Sequence, residues 1–261
     1  MRSFPGIPAP HDRKAHGGSL THPAAGPARG RTMASSFFPH QGQPPPCMPP
    51  SLSPRRHQAA LRAQERLRGR CIPHRTLAPE AIHSLAGADV SYTASRACAA
   101  VVVASFPDLA PIECATAVTT IRFPYAPGFF AFREAPALLK AFHSLTTRPD
   151  IAMLNGHGYA HPRRIGLASH IGVLLDLPTV GVAGRPLVGT FREPGPEPGA
   201  TEPLVFEGEQ IGLALRTRTA SRPIILSAGH RTDLALAEAV VRATLRGGRM
   251  PLPLLEAHRC A

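Results

Sequence analysis

IAMLNGHGYAHPRRIGLASH, residues 151–170, is the most informative segment of the chain for its fold. Its first four residues are apolar and predict a buried strand. After a turn at residues 155–158, apolar residues recur at helical spacing and predict a helix that begins at Pro162. Polar groups therefore crowd a strand end and a helix start, which is where open α/β sheets bind ligands. His161, Arg163 and Arg164 add positive charge suited to a phosphate, and a helix start that is simply basic explains them equally well.

Length, charge and cysteine content narrow the class of protein. The chain has 261 residues, of which 43% are hydrophobic, enough for one core of ordinary size. Its net charge of +12 favours a polyanionic partner, with nucleic acid ahead of an acidic membrane surface. The five cysteines include no CxxC pair and predict reduced thiols rather than a disulfide framework or a zinc site. Because no apolar run reaches the length of a membrane span, we expect a soluble, cytoplasmic protein with no membrane partner.

Residues 1–56 differ in composition from the rest of the chain. They hold twelve of the thirty prolines, and seven Lys or Arg residues less Asp12 give them a charge of +6. A segment without apolar periodicity buries too little surface to offset its ordering entropy, so we predict a disordered, Pro/Arg-rich tail. Two interpretations stay open: a nucleic-acid tether, or a plain leader that a start at Met33 or Met48 would largely remove. Residues 57–261 form the predicted folded domain.

Beyond the tail, periodicity predicts an α/β fold with one mixed sheet covered by helices on both faces. Helices are expected at 57–70, 134–145 and 232–245, the last capped by Thr232. Short polar turns between the first three strands indicate an antiparallel meander, and the later strands alternate with helices. The predicted strands are 85–92, 99–105, 112–122, 151–154, 179–183, 210–216 and 223–227.

Four residues are candidates for chemistry, each with a structural alternative. Asp89 lies in an apolar strand, where a carboxylate either pairs internally or binds a hard cation such as Mg²⁺. Glu134, just before Pro136, is typical of an acid at a helix N-terminus. His230 lies between a strand and a helix and is either structural or a general acid/base. Tyr125, between two prolines, either caps a core or wedges between bases.

Taken together, these segments resemble a known family. LAGADVSY, FPYAPGFFAFREAPALL, NGHGYAHPRRIGLASHIGVLLDLPTVGVA and SAGHR follow one another in the order and texture of endonuclease V, the repair nuclease for deaminated bases. The resemblance runs from about Leu61 to Pro251, nearly all of the chain outside the tail. It implies an RNase H-like fold, dependence on Mg²⁺ or Mn²⁺, and cleavage of the second phosphodiester bond 3′ to hypoxanthine in DNA or RNA.

The resemblance also implies roles for particular residues. Asp89 and Glu134 match the family's first two metal carboxylates, and His230 matches the histidine near the cleaved phosphate. Tyr125 matches the wedge that fills the gap left by the extruded base. The expected partner is DNA or RNA containing deaminated bases, bound by a monomer. The residues expected to contact the lesion or its strand are Tyr125, Gly128, Gly156, His161, Arg163, Arg164, Gly166 and Leu167.

Three departures from the family pattern fall at positions where the family has residues of its active site. Asn155 stands where the family has a metal-binding Asp, Gly184 replaces a lysine, and Ala235 stands where the chain often regains an acid. A neutral amide oxygen is a weaker ligand for a hard divalent ion than a carboxylate. The leading hypothesis is a metal-dependent endonuclease in which Asp89, Glu134 and Asn155 hold the metal. Its rival is a lesion-binding protein that no longer cleaves efficiently, and a role in RNA processing or surveillance is compatible with the same fold.

Overall fold

The computed structural model describes residues 52–261. The predicted tail lies outside this range except for its last five residues, and Pro54 already begins a helix. The folded domain therefore starts slightly earlier than the predicted boundary at residue 57. The Ser53 side chain accepts a hydrogen bond from the Arg56 N–H and caps this helix, and Pro54 occupies a first-turn position where an N–H has no intrahelical partner.

The helices and strands of this range follow most of the predicted segments. A short 3₁₀ turn at Pro79–Ala81 precedes the first strand. In chain order the elements are α1 Pro54–Arg68, β1 Ser84–Tyr92, β2 Arg96–Ser105, β3 Pro111–Thr120, α2 Phe130–His143, β4 Ile151–Asn155, α3 Leu167–Leu175, β5 Thr179–Ala183, β6 Thr201–Phe206, β7 Glu209–Leu215, β8 Ile224–Ala228, α4 Leu234–Thr244 and α5 Leu252–Cys260.

The strands form one mixed sheet in the order β3-β2-β1-β4-β5-β8-β7-β6. The first three strands are an antiparallel meander. β4 and β5 then run parallel to β1, and β8, β7 and β6 return antiparallel. The predicted mixed sheet, with a meander followed by parallel strands, is confirmed.

Helices cover both faces of the sheet, as predicted. α2 and α3 pack on one face, in a core that includes Leu138, Leu154 and Ile171. α4 and α5 pack on the other face, in a core that includes Met153 and Leu254. Burial of each large apolar side chain stabilises the fold by roughly 1.5–3 kcal/mol. Two cores on opposite faces therefore hold the sheet in place and fix which way each strand residue points.

Side chains alternate along β1 and so separate the two faces. Ala86 and Ala88 belong to the core under α2, whereas Leu85 belongs to the core under α5. Gly87 also lies on the α5 side, where a Cβ would come 2.2 Å from the Pro253 carbonyl oxygen. This close approach brings the start of α5 against the middle of β1, and alternation places the next residue of that series, Asp89, on the same side.

The connection after β4 differs from the prediction. α3 begins at Leu167 rather than at Pro162, and Arg164 adopts a left-handed φ of 56° in the turn between them. The reason is that loop carbonyls occupy the first donors of the helix: Gly158 O accepts from Gly166 N and His157 O accepts from Ala168 N. The helix N-terminus is therefore used to fold the loop back onto the sheet.

Two predicted helix starts are also wrong. α2 begins at Phe130, so Glu134 lies in its second turn and Pro136 lies inside the helix rather than near its start. α4 is capped by Asp233, whose carboxylate accepts from Leu236 N, and not by Thr232. The Thr232 hydroxyl is instead buried and donates to a backbone carbonyl of β5.

Two elements were not predicted, the edge strand β6 and the C-terminal helix α5. Pro251 and Pro253 disguise the start of α5, although proline is common in the first turn of a helix. Apolar side chains at Leu254 and Ala257, three residues apart and both buried, were the available signal for it. None of the helices within residues 52–261 is both long and apolar enough to cross a membrane.

Candidate active site

The carboxyl ends of β1 and β4 bring Asp89 and Asn155 together. The two strands pair in parallel, with Ala88 beside Leu154, so the next residues meet at the same edge of the sheet. Asp89 is only 6% exposed, and Asn155 Nδ2 donates a hydrogen bond of 2.8 Å to Asp89 Oδ1. The predicted neighbourhood of these two residues is therefore present, with the amide serving the buried carboxylate as a neutral donor.

Glu134 reaches this edge from the opposite face, on α2. It is 3% exposed, and Tyr92, at the end of β1, donates a hydrogen bond of 2.6 Å to Glu134 Oε1. The pKa of Glu134 is raised to about 8, mainly by burial; the Tyr92 hydrogen bond opposes the rise and the nearby charge of Asp89 adds to it. A buried carboxyl group next to a second carboxylate is a place where a cation is favoured, because the cation relieves both the burial and the repulsion.

His258, on α5, is the third polar side chain at Asp89, and it was missed in the sequence. Its Nδ1 lies 2.7 Å from Asp89 Oδ2. A carboxylate oxygen only accepts, so Nδ1 carries the proton and Nε2 is left as an acceptor when the ring is neutral. Both oxygens of Asp89 are thus engaged, one by Asn155 and one by His258.

His230 lies at the wrong edge of the sheet for the predicted catalytic role. β8 runs antiparallel to β5, so its end at Ala228 pairs with Val180 at the start of β5. His230 follows that end, and its N–H donates to the Thr179 hydroxyl. The length of β5, about 13 Å at roughly 3.3 Å per residue, separates this edge from the edge of Asn155. This position argues against the prediction that His230 assists proton movement at the cleaved phosphate.

The environment of His230 explains why it is nevertheless buried. Its Nδ1 accepts from Ile72 N, and its Nε2 contacts the Asp176 carboxylate at 3.2 Å. Burial lowers the pKa of His230, and the Asp176 hydrogen bond opposes that shift. His230 therefore ties the segment after α1 to the end of α3, which is a structural role.

The donors at the carboxylate edge fit a divalent cation in kind. Asp89 and Glu134 supply carboxylate oxygens, and Asn155 supplies an amide oxygen once its Nδ2 is turned to Asp89. Hard cations such as Mg²⁺ prefer such oxygens, and an imidazole such as that of His258 suits Mn²⁺ better. Within residues 52–261, no group of three or more His, Cys, Asp or Glu side chains is gathered closely enough to form a metal cage. The set accordingly fits an ion completed by water and substrate oxygens.

A cavity of about 290 Å³ opens beside this edge. Its walls are the loop that carries Tyr125, the start of α3, and the end of β5. Its volume is close to the lower bound of roughly 300 Å³ for small-molecule pockets. The predicted lesion residues that line it are Tyr125, Gly128, Gly156, His161, Gly166 and Leu167, together with Asn155.

The pocket glycines have a packing reason that the sequence did not show. A Cβ on Gly166 would lie 2.3 Å from His157 O, and a Cβ on Gly156 would lie 2.9 Å from Leu167 Cδ2. These glycines let the loop after β4 fold tightly against the start of α3. Close backbone packing, which shapes the pocket wall, is therefore their first requirement.

Arg164 does not face the pocket, and its charge is already paired. Its side chain is 8% exposed, and its guanidinium contacts Glu209 at 2.8 Å and lies over the rings of Tyr159 and Phe206. Arg164 thus anchors the β6–β7 hairpin to the loop after β4. This ion pair argues against the predicted contact of Arg164 with the lesion strand, because the guanidinium is already engaged.

His161 lines the pocket next to Gly128, Arg163 lies beside it, and both donate to the Gly128 carbonyl oxygen. Burial, and then the neighbouring Arg163 charge, lower the pKa of His161 to about 4. His161 is therefore neutral at physiological pH and adds no positive charge, contrary to the sequence-based expectation.

Three arginines lie close together on the β5 side, and one of them lines the pocket. Arg185 lines it, and Arg249 donates to the backbone carbonyls of Gly184 and Arg222. A Cβ on Gly184 would lie 3.5 Å from Arg249 Nη1, so this guanidinium stands next to the position where the family lysine would begin. Burial lowers the pKa of Arg249, and the charges of Arg222 and Arg185 lower it further. Crowded cations of this kind favour an anion such as a phosphate.

Comparison with known proteins identifies this arrangement. The family model of endonuclease V matches residues 65–259. The chain belongs to the endonuclease V family. The match spans every strand of the sheet and α2 to α4 in full, and the proteins of the family are nucleases.

Individual relatives agree with the family match. Endonuclease V of Roseiflexus sp. (strain RS-1) is 47% identical over 188 residues, which cover 72% of this chain and 84% of that protein. The crystal structure of endonuclease V from Streptomyces avermitilis superposes with a TM-score of 0.74 and 39% identity, over 78% of this chain and 90% of the other. Endonuclease V of Ciona intestinalis, in complex with a 24mer DNA containing an inosine followed by a ribo-adenosine, is 25% identical with a TM-score of 0.70, over 78% and 95%.

Proposed function

We propose that this endonuclease V binds DNA or RNA that contains inosine and cleaves the second phosphodiester bond 3′ to the lesion, with a divalent metal at Asp89, Glu134 and Asn155. One observation carries the proposal: Asn155 lines the base-sized cavity and also hydrogen-bonds Asp89. The Asn155 side chain therefore has the cavity, which would hold the base, on one side and Asp89 on the other. The inosine-containing DNA bound by the Ciona intestinalis relative supports the choice of lesion.

The wedge and the pocket explain how a base is selected. Tyr125 is 64% exposed on its loop and leans edge-on against Phe130. An exposed aromatic ring beside a cavity can stack in the gap that an extruded base leaves, while the base enters the cavity. The Arg185, Arg222 and Arg249 cluster continues from the rim of the cavity and suits the phosphates of the same strand.

The chemistry implied is hydrolysis of a phosphodiester bond. The oxygen of a water attacks phosphorus, the bond from phosphorus to the 3′ oxygen breaks, and the leaving oxygen takes a proton. His258 is the histidine at the carboxylate edge, so it replaces His230 as the group that moves a proton there. Tyr92 holds Glu134 in place through its hydrogen bond.

A divalent ion, when bound, activates the water and stabilises the charge on the phosphate oxygens. Mg²⁺ and Mn²⁺ are both candidates, and the amide of Asn155 and the imidazole of His258 favour Mn²⁺. The buried carboxyl groups of Asp89 and Glu134 supply the negative charge that the ion requires. The protein therefore holds these carboxylate oxygens at an edge of the sheet that is largely shielded from solvent, next to the pocket.

A cleavage assay with defined substrates tests the proposal. The purified full-length chain is incubated with labelled DNA and RNA that carry one inosine, in Mg²⁺ and separately in Mn²⁺. The expected product is a single cut 3′ to the lesion, displaced by one nucleotide, with more product in Mn²⁺. The same oligonucleotides with adenosine in place of inosine are the matched controls.

The binding-only alternative makes a different prediction for the same assay. It expects inosine-dependent binding with no cut in either metal, because Asn155 leaves the ion without its central carboxylate. The known relatives are nucleases, which favours cleavage. Freshly purified protein must be checked by peptide mass for Asn155, since an Asn followed by Gly deamidates readily and would create Asp at this position.

A further inference from the structure

One backbone oxygen next to the pocket receives three side-chain donors. Gly128 O accepts from Gln64 Nε2 at 2.8 Å, from His161 Nε2 at 3.0 Å and from Arg163 Nη2 at 2.6 Å. A fourth hydrogen bond joins two of these donors, from Arg163 Nε to Gln64 Oε1 at 2.6 Å. A carbonyl oxygen has two lone pairs, so three donors converging on it fix its position more firmly than an ordinary backbone hydrogen bond.

The side chains that supply these donors are themselves held in place. Gln64 is 1% exposed, although it belongs to α1, and His161 is 3% exposed. Because Gly128 O cannot donate, His161 Nε2 carries the proton, and His161 Nδ1 then accepts from Arg163 N at 3.1 Å. The Arg163 guanidinium also lies 4.5 Å from the centre of the Phe129 ring. Every polar atom that contacts Gly128 O thus has one possible role.

Gly128 is the end of the loop that carries Tyr125. The other end is held as well, since Arg133 Nη1 donates to Phe123 O at 3.2 Å. Between these two anchors Tyr125 projects into solvent, 64% exposed. After Gly128 the chain enters α2, which carries Glu134. The position of the Gly128 carbonyl therefore sets where the wedge stands relative to the pocket and to the carboxylate edge.

Glycine is required at residue 128 for two independent reasons. Its φ of 75° lies in the left-handed region, and a Cβ would come within 2.9 Å of Arg163 Nη2. The close approach of the guanidinium to the loop depends on the missing side chain. A glycine at residue 128 is thus a condition for the contact between this loop and the Arg163 guanidinium.

We propose that Gln64, His161 and Arg163 are positioning residues for lesion recognition, which act by clamping the Gly128 carbonyl and thereby placing Tyr125. The proposal rests on the proposed function and adds residues that influence lesion selection through the Gly128 carbonyl. Gln64 is the informative member, because it comes from α1, and the family model matches the chain only from residue 65. The N-terminal helix is therefore part of the recognition apparatus.

A double-mutant cycle between Gln64 and Tyr125 tests the clamp. Gln64→Glu keeps an acceptor for Arg163 but replaces the donor to Gly128 O with a second oxygen, which repels it. The dissociation constants of the full-length chain for inosine DNA and for matched adenosine DNA are measured without metal. Gln64→Glu should lower the preference for inosine by roughly fivefold to tenfold, the usual cost of one lost buried hydrogen bond. In the Tyr125→Ala background the same substitution should change the preference by less than about twofold, because its effect passes through Tyr125.

Controls separate the clamp from general damage. Gln58→Glu alters an exposed glutamine of the same helix and should leave the preference unchanged. Gln64→Leu and Arg163→Lys break the clamp without introducing an acid, and provide the same cycle if Gln64→Glu melts early. Equal losses with and without Tyr125, in the variants that fold, would overturn the clamp. A wild-type chain that prefers inosine no more than adenosine would instead overturn the proposed function, and the clamp with it.

Discussion

The support of the wedge loop and the carboxylate edge lie on either side of Asn155, and their polar groups are satisfied in opposite ways. Behind the loop, three donors meet a single neutral acceptor, the Gly128 carbonyl. At the edge, two buried carboxyl groups are met mainly by neutral donors, Asn155 at Asp89 and Tyr92 at Glu134. The first region is complete without a ligand, whereas the second gains from any cation that enters.

The two regions differ because recognition and metal binding need different arrangements of polar groups. A recognition loop has to stand in one place before the nucleic acid arrives, because ordering it on binding would cost affinity. A metal site works with charge that is incompletely compensated until the ion binds. We expect the neutral side chain of Asn155 to weaken metal binding in the second region and to leave the first region unaffected.

The largest effect is expected from removing charge at the carboxylate edge. Asp89→Asn keeps the shape of the side chain but removes one of the two carboxylates at the metal position. It should slow single-turnover cleavage by about a thousandfold, or about 4 kcal/mol. Inosine affinity in the absence of metal should stay within about twofold, since the wedge support is separate. A variant that loses both properties together would show that the two regions are one unit.

An acid titration of protein stability tests His161, which holds the Tyr125 loop, and its expected effect is almost as large. The unfolded chain binds a proton at His161 below its ordinary pKa of 6.5, whereas in the folded chain the pKa is about 4. The unfolded state is therefore favoured as pH falls from 6.5 to 4, by up to about 3 kcal/mol. His161→Gln retains a donor for Gly128 O without titrating, so its free energy of unfolding should fall less between pH 7 and pH 4 in denaturant melts. Parallel curves for the two proteins would contradict a buried neutral His161.

Adding a negative charge at residue 155 should strengthen metal binding at the carboxylate edge. Asn155→Asp adds a unit of negative charge beside the metal position, and should raise cleavage in Mg²⁺ by roughly thirtyfold, about 2 kcal/mol. The gain in Mn²⁺ should be smaller, because that ion tolerates neutral ligands better. If wild-type protein verified as Asn155 cleaves in Mg²⁺ as fast as the variant, another group supplies the missing charge.

Two histidines provide a matched pair across the sheet. His258→Gln should reduce cleavage about tenfold, or about 1.4 kcal/mol, by removing the proton carrier at Asp89. His230→Gln should lower the melting temperature instead, because it breaks the contacts to Ile72 and Asp176, and should leave the cleavage rate of the folded protein unchanged. The opposite pattern would return the catalytic role to His230.

The smallest effect is expected at the arginine cluster beside the pocket. Arg222→Gln should reduce the slope of log affinity against log salt by about 1 and weaken inosine and adenosine strands alike. Arg148→Gln is the control, since it removes the same charge from an arginine that lies before β4, at the opposite edge of the sheet. Equal slopes for both variants would place the phosphates elsewhere.

The fold class, the family and the grouping of Asp89, Glu134 and Asn155 could be predicted from the sequence, the place of Glu134 in this group through the resemblance to the family. Alternating and helical periodicities fix which faces of the strands and helices are buried, and burial then fixes the register. Asp89 and Asn155 end neighbouring parallel strands, so an inference about sheet edges brings them together without coordinates. Tyr125 was recognisable because two prolines hold it on a loop.

Which histidine contacts Asp89, and which residues hold the Tyr125 loop, became visible in the folded structure. His258 and Asp89 are 169 residues apart in the chain, and Gln64 and Gly128 are 64 apart. Contacts of this kind follow from how α5 and α1 pack on the finished sheet, and no local pattern records them. The sequence motif around His230 pointed to the wrong edge, because the antiparallel direction of β8 reverses the end at which its last residues lie. The direction of each strand and the packing of the helices on the sheet therefore decide where these residues lie, and local residue types encode neither.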